Sequence, residues 1–130
     1  MRKPLTFLVL LASIGFILYA VKPRIVSPSK LAPTTAAWND VNGGIKTALD
    51  AFKVDTGHYP KGTNGLLELV QQPSGTASWH GPYLDNLPVD PWGHKYIYEY
   101  PGRHNTNAYD LFSVGKDGKA GTGDDIGNWQ

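Results

Sequence analysis

The sequence predicts an α+β domain in which one amphipathic helix packs against a small antiparallel sheet. The helix is indicated by apolar residues at three- and four-residue spacing, namely Trp38, Val41, Ile45, Ala48, Leu49 and Phe52. Two alternating segments, HKYIYEY at residues 94–100 and AYDLFSV at residues 108–114, predict two strands. Because the helix comes first and the strands follow together, the α+β order is favoured over alternating strands and helices.

The predicted helix has identifiable ends and a weak centre. Thr35 is a suitable N-cap, and Gly57 should end the helix. Gly43 and Gly44 each cost roughly 1 kcal/mol relative to alanine in a helix interior. They mark either a tolerated cost or a position where another backbone packs closely, and the sequence favours neither. A second, short helix is predicted at residues 63–72, TNGLLELVQQ.

The amino-terminal residues predict a membrane segment. Residues 5–21 carry no charged side chain, and their number is at the short end of the roughly 17–25 residues that cross a bilayer as a helix. Residues 1–22 are therefore interpreted as a membrane anchor, or as a signal sequence cut after Ala20. Leu18 favours the uncleaved anchor, because cleavage requires a small residue at that position.

The remaining chain is predicted to form a proline-rich linker at residues 23–34 and a globular domain at residues 35–130. Its charge and composition limit the classes of function that it can have. From residue 31 onward, seven basic residues face all eleven acidic ones, so the net charge is near −4. An acidic domain argues against nucleic acid as a partner. The chain has no cysteine, which excludes disulfides and thiolate sites.

The sequence contains no recognisable catalytic constellation, so an enzyme is not predicted. The four histidines are scattered among different turns and strands and are interpreted as exposed or locally bonded residues: His58, His80, His94 and His104. Asp85 and Asp90 precede or follow turn prolines, which favours turn capping over an acid–base pair. Ser113 lacks the glycine pattern of a nucleophile elbow.

The glycine-rich stretch GKDGKAGTGDDIGNW, residues 115–129, is the candidate metal site. Asp117, Asp124 and Asp125 supply hard carboxylate oxygens, and the glycines allow backbone carbonyls to turn inward. Calcium accepts about 6–8 oxygen ligands in irregular geometry, whereas magnesium requires a near-ideal octahedron. Composition alone leaves two interpretations, a calcium loop and a solvated acidic turn.

Three segments lie in this order along the chain: HYPKGTNGLLELVQQP, GPYLDNLPVDPWGHKYIY and YDLFSVGKDGKAGTGDDIGNW. Their combination at these separations is highly specific. Over about residues 38–130 they resemble the globular domain of the type II secretion major pseudopilin, the G subunit. The resemblance implies a relative of the type IV pilins, with a long N-terminal helix packed on a small antiparallel sheet. It also implies assembly into a periplasmic filament that helps to move folded proteins across the outer membrane.

The same resemblance implies a calcium site in the last loop. Asp117, Asp124 and Asp125 match the family's calcium-binding aspartates, and the backbone carbonyls near Val114 and Lys119 would complete the shell. Calcium would then cancel the repulsion between the aspartates, and the tryptophan near the end would pack the free end onto the domain. The segment LPVDPWG is a structural loop in this resemblance.

The amino terminus departs from this family. Its members begin with a basic leader that ends in glycine, followed by phenylalanine and, four residues later, by glutamate. Gly15 and Phe16 match the first two, but Ala20 stands in place of the glutamate. Two functions therefore stay open. One is a calcium-stabilised structural subunit of a type II secretion-type machine, and the other is a membrane-tethered periplasmic calcium-binding module that does not polymerise.

Partners and location are also expectations from the resemblance. The partners would be other pseudopilins or inner-membrane components of the secretion system, with self-association through the N-terminal helix. A single pass through the bacterial inner membrane would place the globular domain in the periplasm.

Overall fold

A computed structural model of the chain describes residues 32–61 and 65–130. Residues Leu31–Gln130 form one compact unit. The predicted anchor and residues 23–31 of the predicted linker lie outside the described residues. Within the described ranges, no helix is both long and apolar enough to cross a bilayer.

The amphipathic helix consists of three consecutive segments. Helix α1 covers Pro33–Asn39, a π-helical segment covers Asp40–Gly44, and helix α2 covers Ile45–Thr56. Helix α1 begins at Pro33 and not after the predicted N-cap, Thr35. Proline is well suited to the first helical turn, because the backbone N–H that it lacks has no partner there in any helix.

Helix α2 ends where the sequence predicted. Gly57 adopts a left-handed conformation with a φ of 84°, and its N–H donates to the Lys53 carbonyl at 2.8 Å. The glycines in the middle of the helix have a different environment. A Cβ atom built on Gly43 or Gly44 would meet nothing within 4 Å. Close packing of another backbone within the described domain therefore does not explain this pair.

The π-helical segment changes which residues face the core. Trp38 was predicted to be buried but is 48% exposed, whereas Ala37 is fully buried. A π-helical turn contains about one residue more than an α-helical turn, so it shifts the phase of the preceding residues. The prediction for Trp38 was wrong because it assumed a uniform helical period. The other predicted core positions are buried as expected: Val41, Ile45, Ala48, Leu49 and Phe52.

Three short strands form an antiparallel sheet in the order β1-β2-β3. Strand β1 covers Ile97–Glu99, β2 covers Asp110–Ser113 and β3 covers Ile126–Gly127. The first two lie inside the predicted strands, with Leu111 opposite Tyr98. Strand β3 was not predicted, because two residues are too few to show an alternating pattern. All four residues of the central strand β2 are buried.

The helix and the sheet meet in a common apolar core. Leu49 and Phe52 of the helix and Leu111 of β2 are fully buried there. A 3-10 helix, Gly65–Leu69, adds Leu69 to the core and takes the place of the longer helix predicted at that point. The α+β class predicted from the sequence is confirmed.

Candidate metal centre

The candidate metal centre lies in the terminal loop, residues 114–128, which includes the connection from β2 to β3 and strand β3 itself. Gly115, Gly118 and Gly121 all have positive φ angles, between 66° and 84°, which residues with a side chain rarely adopt. Gly115 is also tightly packed, because a Cβ atom there would collide with the backbone and the carboxylate of Asp124. This close approach brings the two ends of the loop together.

Asp124 accepts hydrogen bonds through both of its carboxylate oxygens. Its Oδ1 accepts the Thr122 hydroxyl at 2.6 Å, and its Oδ2 accepts the backbone N–H of Asp117 at 3.0 Å. The hydrogen bond from Thr122, followed by that from the Asp117 N–H, lowers the pKa of the Asp124 carboxyl below its ordinary value. Asp124 is therefore anionic at neutral pH, as a metal ligand must be.

Asp117 and Asp125 have different surroundings. Asp117 is exposed, and its Oδ1 accepts the Lys119 N–H at 2.9 Å. Asp125 accepts the Gly121 N–H at 2.7 Å through Oδ2. Its Oδ1 is buried and has no hydrogen-bond partner within the described part of the chain. A buried carboxylate oxygen without a donor is costly, and a bound cation is one way to compensate it.

The three carboxylates do not converge on one point. Among residues 32–61 and 65–130, no group of three or more His, Cys, Asp or Glu side chains is placed to hold a metal ion. Asp125 lines a cavity of about 300 Å³ with Arg103 and Trp129, a cavity that neither Asp117 nor Asp124 lines. The donor set nevertheless consists of oxygens, which suits calcium. Within the described residues, Oδ1 of Asp125 is the buried carboxylate oxygen of the loop that lacks a hydrogen-bond partner.

Backbone carbonyls were the other ligands expected from the resemblance. The Lys119 carbonyl oxygen lies 3.0 Å from the Thr122 hydroxyl oxygen, so it points into the loop. The single hydroxyl hydrogen goes to the nearer acceptor, Asp124 Oδ1. Val114 directly follows β2, and its side chain is buried, which fixes the start of the loop. Thr122 was missed by the sequence analysis, because its bond to Asp124 joins two side chains and depends on the backbone turn between them.

The free end of the chain is packed against the domain. Trp129 stacks on the ring of His104 with 3.9 Å between ring centroids, and it contacts Phe112 edge-on. The expectation that this tryptophan closes the terminal loop onto the domain is confirmed. The loop therefore leads back to the sheet at both ends.

Comparisons with known proteins identify the family. The model of the family described as type II secretion system protein G matches residues 24–129. The chain belongs to this family. The type II secretion system core protein G of Escherichia coli K12 is 38% identical over 129 residues, covering 96% of this chain and 87% of the relative. The corresponding protein of Pseudomonas aeruginosa is 40% identical, covering 94% of this chain and 89% of the relative.

A solved structure agrees with the fold of this protein G family member. The major pseudopilin of the type 2 secretion system of enterohaemorrhagic E. coli is 33% identical, with a TM-score of 0.66. The match covers 84% of this chain and 96% of that pseudopilin. The resemblance seen in the sequence motifs is thereby confirmed.

Protein G relatives are named as secretion-system components and not as enzymes. As the sequence analysis proposed, the His80 and His104 side chains are exposed and His58 is locally bonded. The His94 ring instead contacts the Gly115 carbonyl, 21 residues along the chain. Three of the four histidines also lie beside carboxylates. The pairs, joined by 3.0 to 3.7 Å, are His80 with Asp55, His94 with Asp90, and His104 with Asp110. The sequence analysis did not identify these contacts. Asp90 and His94 lie four residues apart in one turn, and the other two pairs join separate segments.

Asp110 is a buried carboxylate that the sequence analysis missed. Its Oδ2 accepts the N–H groups of Arg103 and His104, and its Oδ1 accepts the N–H of Asn105, at 2.7 to 2.9 Å. Burial alone would raise the pKa of this carboxyl, but the hydrogen bonds outweigh it and lower the pKa below its ordinary value. A carboxylate held by three backbone donors fixes a turn and is poorly suited to proton transfer.

Proposed function

We propose that this chain is a structural pseudopilin subunit of a type II secretion-type machine that supports protein export across the outer membrane. The observation that carries the proposal is the family match over residues 24–129. The similarity to a major pseudopilin over 84% of the chain supports the same function. The buried hydrogen-bonded carboxylates and the packed core also suit a rigid building block.

A deletion of the gene in its own bacterium tests this function. The deletion should remove a defined set of proteins from the culture supernatant and retain them inside the cell envelope, and a plasmid copy of the gene should restore their release. An unchanged supernatant in the deletion strain would contradict the proposed function.

Calcium is the proposed ligand of the terminal loop. Asp117, Asp124 and Asp125 would hold it, together with the backbone carbonyls of Val114 and Lys119. Support comes from the all-oxygen donor set and from the buried Asp125 Oδ1 that has no partner within the described chain. A calcium ion supplies positive charge that cancels the mutual repulsion of the carboxylates. The chain's own hydrogen bonds already place Asp124 beside the Asp117 backbone.

Isothermal titration of the full chain with calcium tests the ligand. Binding of one calcium ion per chain is expected, with little response to magnesium. Asp124→Asn should abolish binding, and Asp85→Asn, an exposed turn residue outside the loop, should not. The absence of a binding signal for the unmodified chain would end the proposal.

The location is proposed as a single-pass anchor in the inner membrane with the globular domain in the periplasm. The uncharged run at residues 5–21 supports the anchor, and family membership supports the periplasmic side. A periplasm-dependent reporter fused to Gln130 should be active. Activity of a cytoplasm-only reporter at the same position would contradict this topology.

Other pseudopilins and inner-membrane secretion components are the proposed partners, along with further copies of the chain. Ala20 in place of the family's glutamate leads us to expect weak homopolymers. Cross-linking in membranes should therefore give long ladders only when other pilin-like subunits are present. Long ladders from this chain alone would overturn that expectation.

A further inference from the structure

The LPVDPWGH segment contains a buried carboxylate that is connected to the terminal loop. The Asp90 side chain is fully buried, and its Oδ1 accepts the backbone N–H groups of Trp92 at 3.1 Å and His94 at 2.8 Å. These two bonds cap a turn, as the sequence predicted. Its Oδ2 accepts the Ser113 hydroxyl at 2.6 Å, which a turn cap does not require.

Ser113 carries this contact to the first residue of the loop. The side chain is fully buried at the end of β2. Because its only hydroxyl hydrogen is donated to Asp90, the oxygen is left to accept, and it accepts the Gly115 N–H at 3.0 Å. Val114, whose carbonyl is among the proposed calcium ligands, lies between these two bonded residues.

His94 holds the other side of the same glycine. Its Nδ1 lies 3.1 Å from the Gly115 carbonyl oxygen. A carbonyl only accepts hydrogen bonds, so Nδ1 carries the hydrogen and donates. The ring also reaches further along the loop, because a Cβ atom on Gly118 would come within 2.9 Å of Nε2. The backbone N–H of His94 donates to Asp90 Oδ1.

We propose that Asp90, acting through Ser113 and His94, is a positioning residue for the terminal loop and its metal site. The Gly115 N–H is bonded to the Ser113 hydroxyl, which donates to Asp90. The Gly115 carbonyl is bonded to the His94 ring, and the backbone N–H of His94 donates to Asp90. Gly115 lies directly against Asp124. The position of Gly115 therefore determines where the Asp124 carboxylate can lie. The calcium part of this inference rests on the proposed function, whereas the ordering of the loop does not depend on it.

Ser113→Ala in the full chain is the main test, with Tyr98→Phe as the matched control. Tyr98→Phe also removes one buried hydroxyl bond, to the Pro60 carbonyl at 2.8 Å, but does so away from the loop. Both variants should melt at a lower temperature. Only Ser113→Ala should speed hydrogen exchange of the amides at residues 115–121, and only it should weaken calcium binding, by about 10- to 100-fold.

His94 provides an independent test in case Ser113→Ala does not fold, because its side chain is 35% exposed. His94→Ala should speed exchange of the same amides. His94→Asn should restore much of the protection, since the amide nitrogen of asparagine can occupy the place of Nδ1. A purely structural role for the ring would not be rescued in this way.

The outcomes separate the inference from the proposed function. If the unmodified chain binds no calcium, the proposed metal site fails, and the exchange rates alone decide whether Asp90 positions the loop. Unchanged loop exchange and unchanged calcium affinity in Ser113→Ala and His94→Ala would overturn the inference even if the unmodified chain binds calcium.

Discussion

The helix–sheet core and the terminal loop of residues 114–128 are held by different kinds of interaction. The core buries large apolar side chains completely, among them Leu49, Phe52 and Leu111. The loop is held mainly by short polar contacts, such as the 2.7 Å bond from the Gly121 N–H to Asp125. Apolar burial is not directed at any ion, whereas carboxylates respond to cations and protons. The two regions should therefore respond differently to the same perturbation.

The largest effect is expected from a cavity in the core. Leu49→Ala removes a fully buried side chain at the centre of the helix–sheet contact. It should lower the free energy of unfolding by about 2–5 kcal/mol. Urea denaturation of the full chain measures this, and the loss should be the same with calcium and with a chelator. If this loss of unfolding free energy disappeared in calcium, the core and the terminal loop would not stabilise the chain independently.

The next largest effect on stability is expected from calcium binding to the terminal loop. At a hundredfold excess over Kd, a ligand that binds only the folded chain stabilises it by about 2.7 kcal/mol. For a domain of roughly 100 residues this corresponds to a rise in Tm of about 10 °C or more. Thermal melting with calcium and with a chelator measures the shift.

Two variants show where the calcium effect originates. Asp124→Asn should abolish the rise in Tm, while Leu49→Ala should retain it from a lower starting temperature. Equal melting temperatures of the unmodified chain in calcium and chelator would remove the proposed difference between the two regions.

Acid should act through Asp110 at the start of β2, whose carboxylate holds the backbone of residues 103–105. Its pKa is lowered in the folded chain, so its contribution is complete above the ordinary carboxyl value of about 3.9 and is lost as pH falls through the lower folded value. Asp110→Asn should destabilise the chain by about 1–3 kcal/mol near pH 7. The gap between variant and unmodified chain should narrow below about pH 4. A gap that stays constant down to pH 2 would contradict this assignment.

The same contrast explains what the sequence could predict. Apolar spacing identified the helix and its buried residues, because the buried residues of a helix recur at a fixed period in the sequence. It failed at Trp38, where a π-helical segment alters the period. The aspartates of the loop were identified by composition and by resemblance. Their individual partners, such as Thr122 for Asp124, depend on backbone turns that no local pattern specifies.

The smallest effect is expected at the glycines of the helix. Gly44 has helical dihedral angles, φ −57° and ψ −53°, and a Cβ atom there meets nothing within 4 Å. Gly44→Ala should therefore stabilise the chain by about 0.4–1 kcal/mol, because alanine restricts the unfolded chain more than glycine does. Gly57→Ala is the matched control: it also has open space, but its φ of 84° disfavours alanine, so it should destabilise by about 1–2 kcal/mol. Urea denaturation should give these opposite signs equally in calcium and in chelator, since neither glycine lies in the loop. A destabilised Gly44→Ala variant would mean that the π-helical segment itself requires glycine.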